Sequence, residues 1–500
     1  MRFRCSLAVA VLAAGAAGVL VPGPAAGDEV PLRLRITLDA SKPLQRIDGF
    51  GVNVTPAQWR GGALAPTLDR LVEDLGASLV RLDCYGKADW LDPAARRPDG
   101  TWAPEYLASV YRSRVFSDCW ATFRHLQEKG AEVHLNVSGR VPAAWTGPDG
   151  ETLADLEAYA EMVVGLARWA REREGLRFTL FAPFNETNLG FPEGPRVRDE
   201  DVRAAVRAVA DKMAAAGLGD VTLAVMCDSP PVSLERHRAL LDDPDLVGRI
   251  AVFSHHTYGD GDAGDGGGAW YEAETPHAAL ARAVAESRHA EARLWMTEYG
   301  DLDQTGLIEW QFAWRSTRRL LGFLRDGFSA GIAWDAFDNL HEHDGAWATY
   351  GLLATDRETG AHEPKKRYFA AKQVYRFVRP GWRRVVVSGP ERDPDDVYAA
   401  WHDPMRHLRL IGFASADRRE FTLVGTSRLE SDVQLDVEVK GLEPGEGPGP
   451  ASYYRTSRGE DCERVGGVEV DEGLRRLVVP ERSIFTLTTV PVAVETKPRP

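Results

Sequence analysis

Two glutamates in this 500-residue chain stand directly behind apolar runs. One lies in Phe184-Asn185-Glu186-Thr187-Asn188, the other in Trp295-Met296-Thr297-Glu298-Tyr299-Gly300. A carboxylate at the end of a buried strand can point into a cavity. Two that converge there, with no metal-ligand pattern around them, suit cleavage of a glycosidic bond. One must be protonated at the leaving oxygen; the other must be ionised and face the anomeric carbon. If they stand ~5–5.5 Å apart, the second is a nucleophile and configuration is retained. A single Glu at a strand end is ordinarily a solvated loop residue, so the inference rests on the pair.

Such a pair needs strands that end on one side. Near-continuous apolar runs predict eight: Gly49–Asn53, Ser78–Asp83, Glu132–Val137, Arg177–Phe184, Val221–Cys227, Arg249–His255, Arg293–Glu298 and Gly331–Phe337. Strands buried on both faces have this texture. Helical patterns fall between them: Pro66–Leu75, Phe116–Lys129, Leu153–Glu172, Asp199–Ala215, Ser233–Leu241, Pro276–Glu291, Leu307–Arg325 and Arg367–Phe377. Eight strand–helix repeats predict an α/β fold, a (β/α)8 TIM barrel, whose active site lies at the C-terminal ends of the strands. Glu186 then ends the fourth strand and Glu298 the seventh. A doubly wound open sheet is the alternative, but no G-x-G-x-x-G loop follows the first strand.

After Arg379-Pro380-Gly381 the texture becomes short alternating runs with turns between them, from Arg384–Ser388 to Ser483–Thr489. That predicts an appended C-terminal all-β sandwich. Leu32–Leu38 alternates too and precedes the barrel, so it is expected to join the sandwich. The expected domains are a signal peptide over 1–27, an N-terminal strand over 28–45, the catalytic barrel over 46–380 and the sandwich over 381–495. Arg2 and Arg4, the Ala/Val/Leu/Gly run that follows and Ala25-Ala26-Gly27 have the pattern of a secretory leader. The expected product is secreted.

Sixty Lys+Arg stand against 74 Asp+Glu, a formal net charge of −14. That balance speaks against nucleic-acid or anionic-membrane partners. A carbohydrate substrate, no cofactor, no metal and a monomeric state are expected. Fourteen Trp is a high count. Trp59, Trp90, Trp145, Trp270, Trp334 and Trp347 fall at strand ends or in the loops after them, where rings stack on the C–H face of a pyranose. At least two are expected to line the cleft. His255, His256, His341 and His343 suggest a hydrogen-bond network rather than a metal cluster. The Gly259–Gly266 run has no Glu to close a calcium loop. No glycan is expected at Asn53-Val54-Thr55, which borders the barrel mouth. Cys84 and Cys119 either pair or remain buried thiols.

These motifs resemble those of the clan A retaining glycoside hydrolases. The resemblance implies that Glu186, after Asn185, is the acid/base and that Glu298 is the nucleophile. It implies that Arg81 supports the nucleophile, that the Tyr258 hydroxyl of His256-Thr257-Tyr258 touches it, and that Trp334 floors the sugar site. Asn185 would bond the sugar's 2-hydroxyl. Within the clan the likeness is to glycoside hydrolase family 30. Gln45–Gly51 is similar to that family's opening strand. Tyr368–Phe377 with Val378-Arg379-Pro380-Gly381 resembles its closing helix and the entry to its side sandwich. Val479–Ile484 resembles its last sandwich strand. The third strand departs: it ends Asn136-Val137-Ser138-Gly139-Arg140-Val141-Pro142 with Trp145, the latter expected to bind substrate.

The leading expectation is a retaining β-glycoside hydrolase acting on a poly- or oligosaccharide. Two alternatives are a carbohydrate-binding barrel without turnover, which would not need both carboxylates, and a transglycosylase using the same covalent intermediate. Glu186 is expected to be protonated at neutral pH because of the nearby charge of Glu298.

Overall fold

The computed structural model describes residues 32–83, 89–258, 275–301, 308–338, 349–356, 358–389, 407–443, 450–468, 470–471 and 473–491. The leader pattern, Cys84, the Gly259–Gly266 run, Trp270, His341, His343 and Trp347 lie outside them. Strand β1 (Leu32–Arg46) comes first, and then eight parallel strands close into a barrel. These are β2 (Gly49–Val54), β3 (Leu79–Asp83), β4 (Glu132–Asn136), β5 (Leu180–Ala182), β6 (Thr222–Asp228), β7 (Ile250–Thr257), β8 (Arg293–Tyr299) and β9 (Ala330–Ala333). All eight coincide with the apolar runs, with shifted ends. The fourth is cut short at Ala182 because Pro183 has no amide hydrogen to continue a ladder.

Helix ends shift for equally local reasons. The helix expected from Leu153 begins at Leu156, because the Asp155 carboxylate accepts from the Ala158 N–H at 2.9 Å and caps it. Its buried stripe includes Tyr159, Met162, Val163 and Leu166. A further helix, Pro104–Tyr111, lies between β3 and β4, with Pro at its first turn.

A two-stranded hairpin, β10 (Leu353–Thr355) and β11 (His362–Pro364), follows the barrel. Beyond it lie β12 (Arg383–Ser388), β13 (Leu408–Ala414), β14 (Phe421–Ser427), β15 (Val433–Lys440), β16 (Ser452–Thr456), β17 (Glu463–Gly467), β18 (Val470–Asp471), β19 (Leu474–Val479) and β20 (Ile484–Thr488). With β1 they form one hydrogen-bonded sheet in the order β17-β16-β20-β14-β13-β12-β1-β15-β19-β18. It curls, sandwich-like, around its own core. Leu34, Ile36 and Leu38 of β1 meet Leu435 and Val437 of β15, Leu423 of β14 and Phe485 of β20 there. Strand β1 pairs parallel with β15 and antiparallel with β12, binding the chain's beginning to its end.

The opposite face of this sheet packs on the barrel. Ile484 meets Ala313 and Ala370 of the helices Glu309–Arg325 and Lys366–Tyr375. Thr422 and Thr486 donate to the carbonyls of Phe377 and Gln373 at 2.8 and 2.7 Å, so polar residues on that face are satisfied by helix ends. Among the described residues, no helix is long and apolar enough to cross a membrane. Cys119 is disulfide-bonded, while Cys227 is a buried free thiol.

Candidate active site

Arg81, on β3 and 1% exposed, organises the C-terminal mouth of the barrel. Nη1 donates to Glu298 Oε1 at 2.6 Å and to Asn53 Oδ1 at 2.8 Å; Nη2 donates to Asn136 Oδ1 at 2.9 Å and to Asn185 Oδ1 at 2.5 Å. One guanidinium thus ties together β2, β4, β8 and the segment after β5. Burying such a charge is tolerable only because a carboxylate and three neutral acceptors replace its water. Breaking a buried pair of this kind costs about 3–5 kcal/mol. Asn53 is itself fixed, with Nδ2 donating to the carbonyls of Thr297 and Ala333 at 3.0 and 3.2 Å. Asn53 is 3% exposed, and its side chain is fully engaged.

Glu298 presents its second oxygen to the Tyr258 hydroxyl, which donates to Oε2. Burial and the neighbouring charges of Glu298 and Glu186 hold the Tyr258 proton affinity well above its ordinary value, so the phenol remains a donor. His256 Nδ1 lies 2.8 Å from Glu186 Oε1 and 3.4 Å from Glu298 Oε2. Burial lowers its pKa to about 3, only partly opposed by Glu298, so the ring is neutral and its contact with Glu186 is a hydrogen bond rather than an ion pair. Carboxylate oxygens of Glu186 and Glu298 and a ring nitrogen of His256 all lie within 4.8 Å of one another. That is also a metal-ligand spacing. However, Arg81 and Tyr258 already occupy the two oxygens of Glu298, and the guanidinium charge opposes a cation.

Glu186 has a left-handed φ of 42°, a conformation that costs a non-glycine residue of order 1 kcal/mol. Its surroundings hold it there: its N–H donates to the Cys227 carbonyl at 2.9 Å. Asn185 Nδ2 donates to the Glu193 carbonyl at 3.0 Å. Gly194 must be glycine, because a Cβ there would stand 1.9 Å from the Asn185 carbonyl oxygen. Asn185 keeps a second amide hydrogen for a ligand.

The Glu186 carboxyl is pushed up to about 7, chiefly by burial, with Arg81 and a Ser229 hydrogen bond opposing and Asp228 assisting. The direction is the expected one, but its cause is burial reinforced by Asp228 rather than the charge of Glu298. Between the ordinary carboxyl value of 4.5 and about 7 the folded state binds more protons than the unfolded one, so stability falls as pH rises through that window. Glu186→Gln should therefore raise the melting temperature more at pH 8 than at pH 5, by about 2–5 °C. Thermal melts at the two pH values check this; an equal effect at both would contradict it.

Of the sequence-predicted residues, Glu186, Glu298, Arg81, Asn185, His256 and Tyr258 form this connected cluster. Trp334, at the end of β9, is half-buried with its ring 6.0 Å from that of Tyr350. Trp145 does not join them. It is 2% exposed and packs edge-on against Trp102, ring centroids 6.1 Å apart, inside the barrel-wall core. Trp90 is likewise wall, its indole N–H donating to the Tyr111 hydroxyl at 3.3 Å. Trp59 lies against His125, and His255 faces His277 rather than the mouth. Trp334 thus stands at the mouth end of its barrel strand, while Trp270 and Trp347 lie outside the described residues.

Three participants escaped the sequence reading. Asn53 and Asn136 hold Arg81, and their positions at strand ends were the available signal. Glu193 is a third carboxyl at the mouth. Burial, reinforced by the charges of Glu186 and Glu298, pushes it up to about 8.

No family model matches the chain. Solved structures match along nearly its whole length at low identity. A glycoside hydrolase family 30 subfamily 8 xylanase from Clostridium acetobutylicum shares 15% identity and covers 91% of this chain and 99% of its own, with TM-score 0.64. An endo-β-1,6-glucanase shares 15%, covers 93% and 95%, and has TM-score 0.63. A β-xylosidase from Caulobacter crescentus shares 15%, covers 91% and 99%, and has TM-score 0.57. The chain has the barrel-plus-β-sheet fold of the family 30 glycoside hydrolases.

Proposed function

We propose that the protein is a secreted retaining β-glycoside hydrolase, with Glu186 as acid/base and Glu298 as nucleophile. The observation that carries this reading is the approach of the two carboxylates to within 4.8 Å, bridged by His256. So close an approach favours the adjacent carboxyls of a retaining enzyme, ~5–5.5 Å apart, over the ~6.5–9.5 Å of an inverting one. It suits direct attack on the anomeric carbon. The fold likeness to a xylanase, a β-glucanase and a β-xylosidase supports β-linked substrates.

In the first step a Glu298 oxygen bonds to the anomeric carbon while the bond to the leaving oxygen breaks. The Glu186 proton passes to that oxygen. In the second, Glu186 takes a proton from water, the water oxygen bonds to the anomeric carbon, and the ester to Glu298 breaks. Glu186 ends protonated again. Arg81 and Tyr258 aim Glu298 and match its negative charge, and their hydrogen bonds ease its departure in the second step. Asn185 offers its free amide hydrogen to the 2-hydroxyl, and Trp334 provides an apolar platform. Aryl β-glycosides with NMR detection of the first-formed anomer test the reading. A β first product is expected; an α first product would refute it.

A further inference from the structure

Behind Glu186 lies a buried ion pair that the two chemical steps do not use. Arg236, on the helix Leu234–Leu241 after β6, is 3% exposed, and Thr187 and Asp228 are 5% and 3% exposed. Arg236 Nε donates to Asp228 Oδ2 at 2.7 Å, and Nη2 donates to Thr187 Oγ1 at 2.6 Å. Nη1 donates to the Val197 carbonyl at 2.9 Å and to Asp199 Oδ1 at 2.6 Å. Thr187 Oγ1 in turn donates to Asp228 Oδ1 at 3.3 Å. The Arg236 backbone is fixed by the Ser233 cap, whose hydroxyl accepts from its N–H at 3.3 Å. Thr187 follows Glu186 directly, and Asp228 follows Cys227, the residue whose carbonyl holds the Glu186 N–H. The segment bearing Glu186 is therefore clamped to the end of β6 at two consecutive positions, once through backbone and once through this side-chain network.

We propose that Arg236 is a positioning residue for Glu186: by gripping Thr187 and Asp228 together it holds the acid's left-handed turn in place and seats a negative charge behind its carboxyl. This rests on Glu186 being the acid/base. Two consequences separate it from a merely structural ion pair. The first is geometric. Lysine carries the charge but cannot reach both partners as a planar fork does. The second is electrostatic. Glu186 faces Arg81 from β3, Asp228 and Ser229 at the end of β6, His256 from β7, Glu298 from β8 and Glu193 from its own segment. Of these, Asp228 raises its proton affinity, Arg81 and Ser229 lower it, and His256 is neutral. Burial pushes Asp228 itself up to about 6, with Arg236 opposing. At neutral pH it is mostly ionised.

The test compares pH profiles of kcat/KM for aryl β-glycosides with poor and good leaving groups, in wild type, Glu186→Gln, Asp228→Asn and Arg236→Lys. Glu186→Gln should abolish the alkaline limb on the poor leaving group; persistence of that limb would fault the acid/base reading itself. With that limb assigned, Asp228→Asn should move it toward lower pH by about half a unit or more, because a like charge has been removed. Arg236→Lys should lose about tenfold or more on the poor leaving group, with a clearly smaller loss on the good one. An unmoved limb in Asp228→Asn, or a uniform loss on both substrates in Arg236→Lys, overturns the proposal while leaving the role of Glu186 intact.

Discussion

Glu298→Gln is expected to lower kcat on the order of 10⁵-fold on every glycoside, whatever its leaving group. Loss of a covalent nucleophile in an interdependent site removes effects of that size. The substitution keeps the shape and an oxygen for Arg81 but removes the charge that must attack and leave. Both chemical steps run through this oxygen, so a better leaving group cannot bypass its absence. Arg81 would then be a buried guanidinium with only neutral acceptors, and the protein should also melt earlier. Glu298→Ala opens space for a small anion. With azide, an activated β-glycoside should yield the α-glycosyl azide, since attack comes from the vacated face. Steady-state rates and product NMR check both. A loss that is cured by raising substrate concentration would assign Glu298 to binding alone.

Glu186→Ala should give the opposite signature, dependent on the leaving group. General acid–base catalysis contributes about 10²–10⁴-fold. Substrates with poor leaving groups need the proton in the first step and should lose that full factor. Activated aryl glycosides depart unaided, so they should still load Glu298 and then stall, seen as a burst followed by slow turnover. Azide needs no deprotonation and should restore the second step, giving the β-glycosyl azide. An α-azide product, or equal loss on both substrate types, would remove Glu186 from the acid/base role. The proton affinity of Glu186, pushed up to about 7 by burial, suits a group that donates near neutral pH and takes the proton back.

What the sequence made legible follows the range of the forces involved. Barrel strands are buried on both faces, so their apolar runs mark them locally, as Ser78–Asp83 and Arg293–Glu298 do. The two glutamates were visible because each follows such a run directly. The tryptophans were less legible, because the same strand-end position can serve a wall or a cleft. Trp145 and Trp90 found partners in Trp102 and Tyr111 instead of facing the mouth. Asn53 and Asn136 looked like ordinary strand-end amides until Arg81, 28 and 55 residues away, was seen to bond both. The Arg236–Thr187 bond spans 49 residues between surface-type side chains that nothing local marks as buried. The origin of Glu186's raised proton affinity is hidden from the sequence for the same reason. Burial is a property of the closed barrel, and Asp228 reaches Glu186 only through the fold.

The central claim is that Glu298 becomes covalently attached to the sugar. Incubation with a 2-fluoro β-glycoside bearing an activated leaving group slows both steps by destabilising the oxocarbenium-like transition state, while the good leaving group lets the intermediate accumulate. Proteolysis and mass spectrometry then locate the added sugar. The account predicts one glycosyl unit per chain, on the peptide containing Glu298, and none in Glu298→Gln. Label on Glu186, or unchanged mass with an α-configured first product, would contradict it.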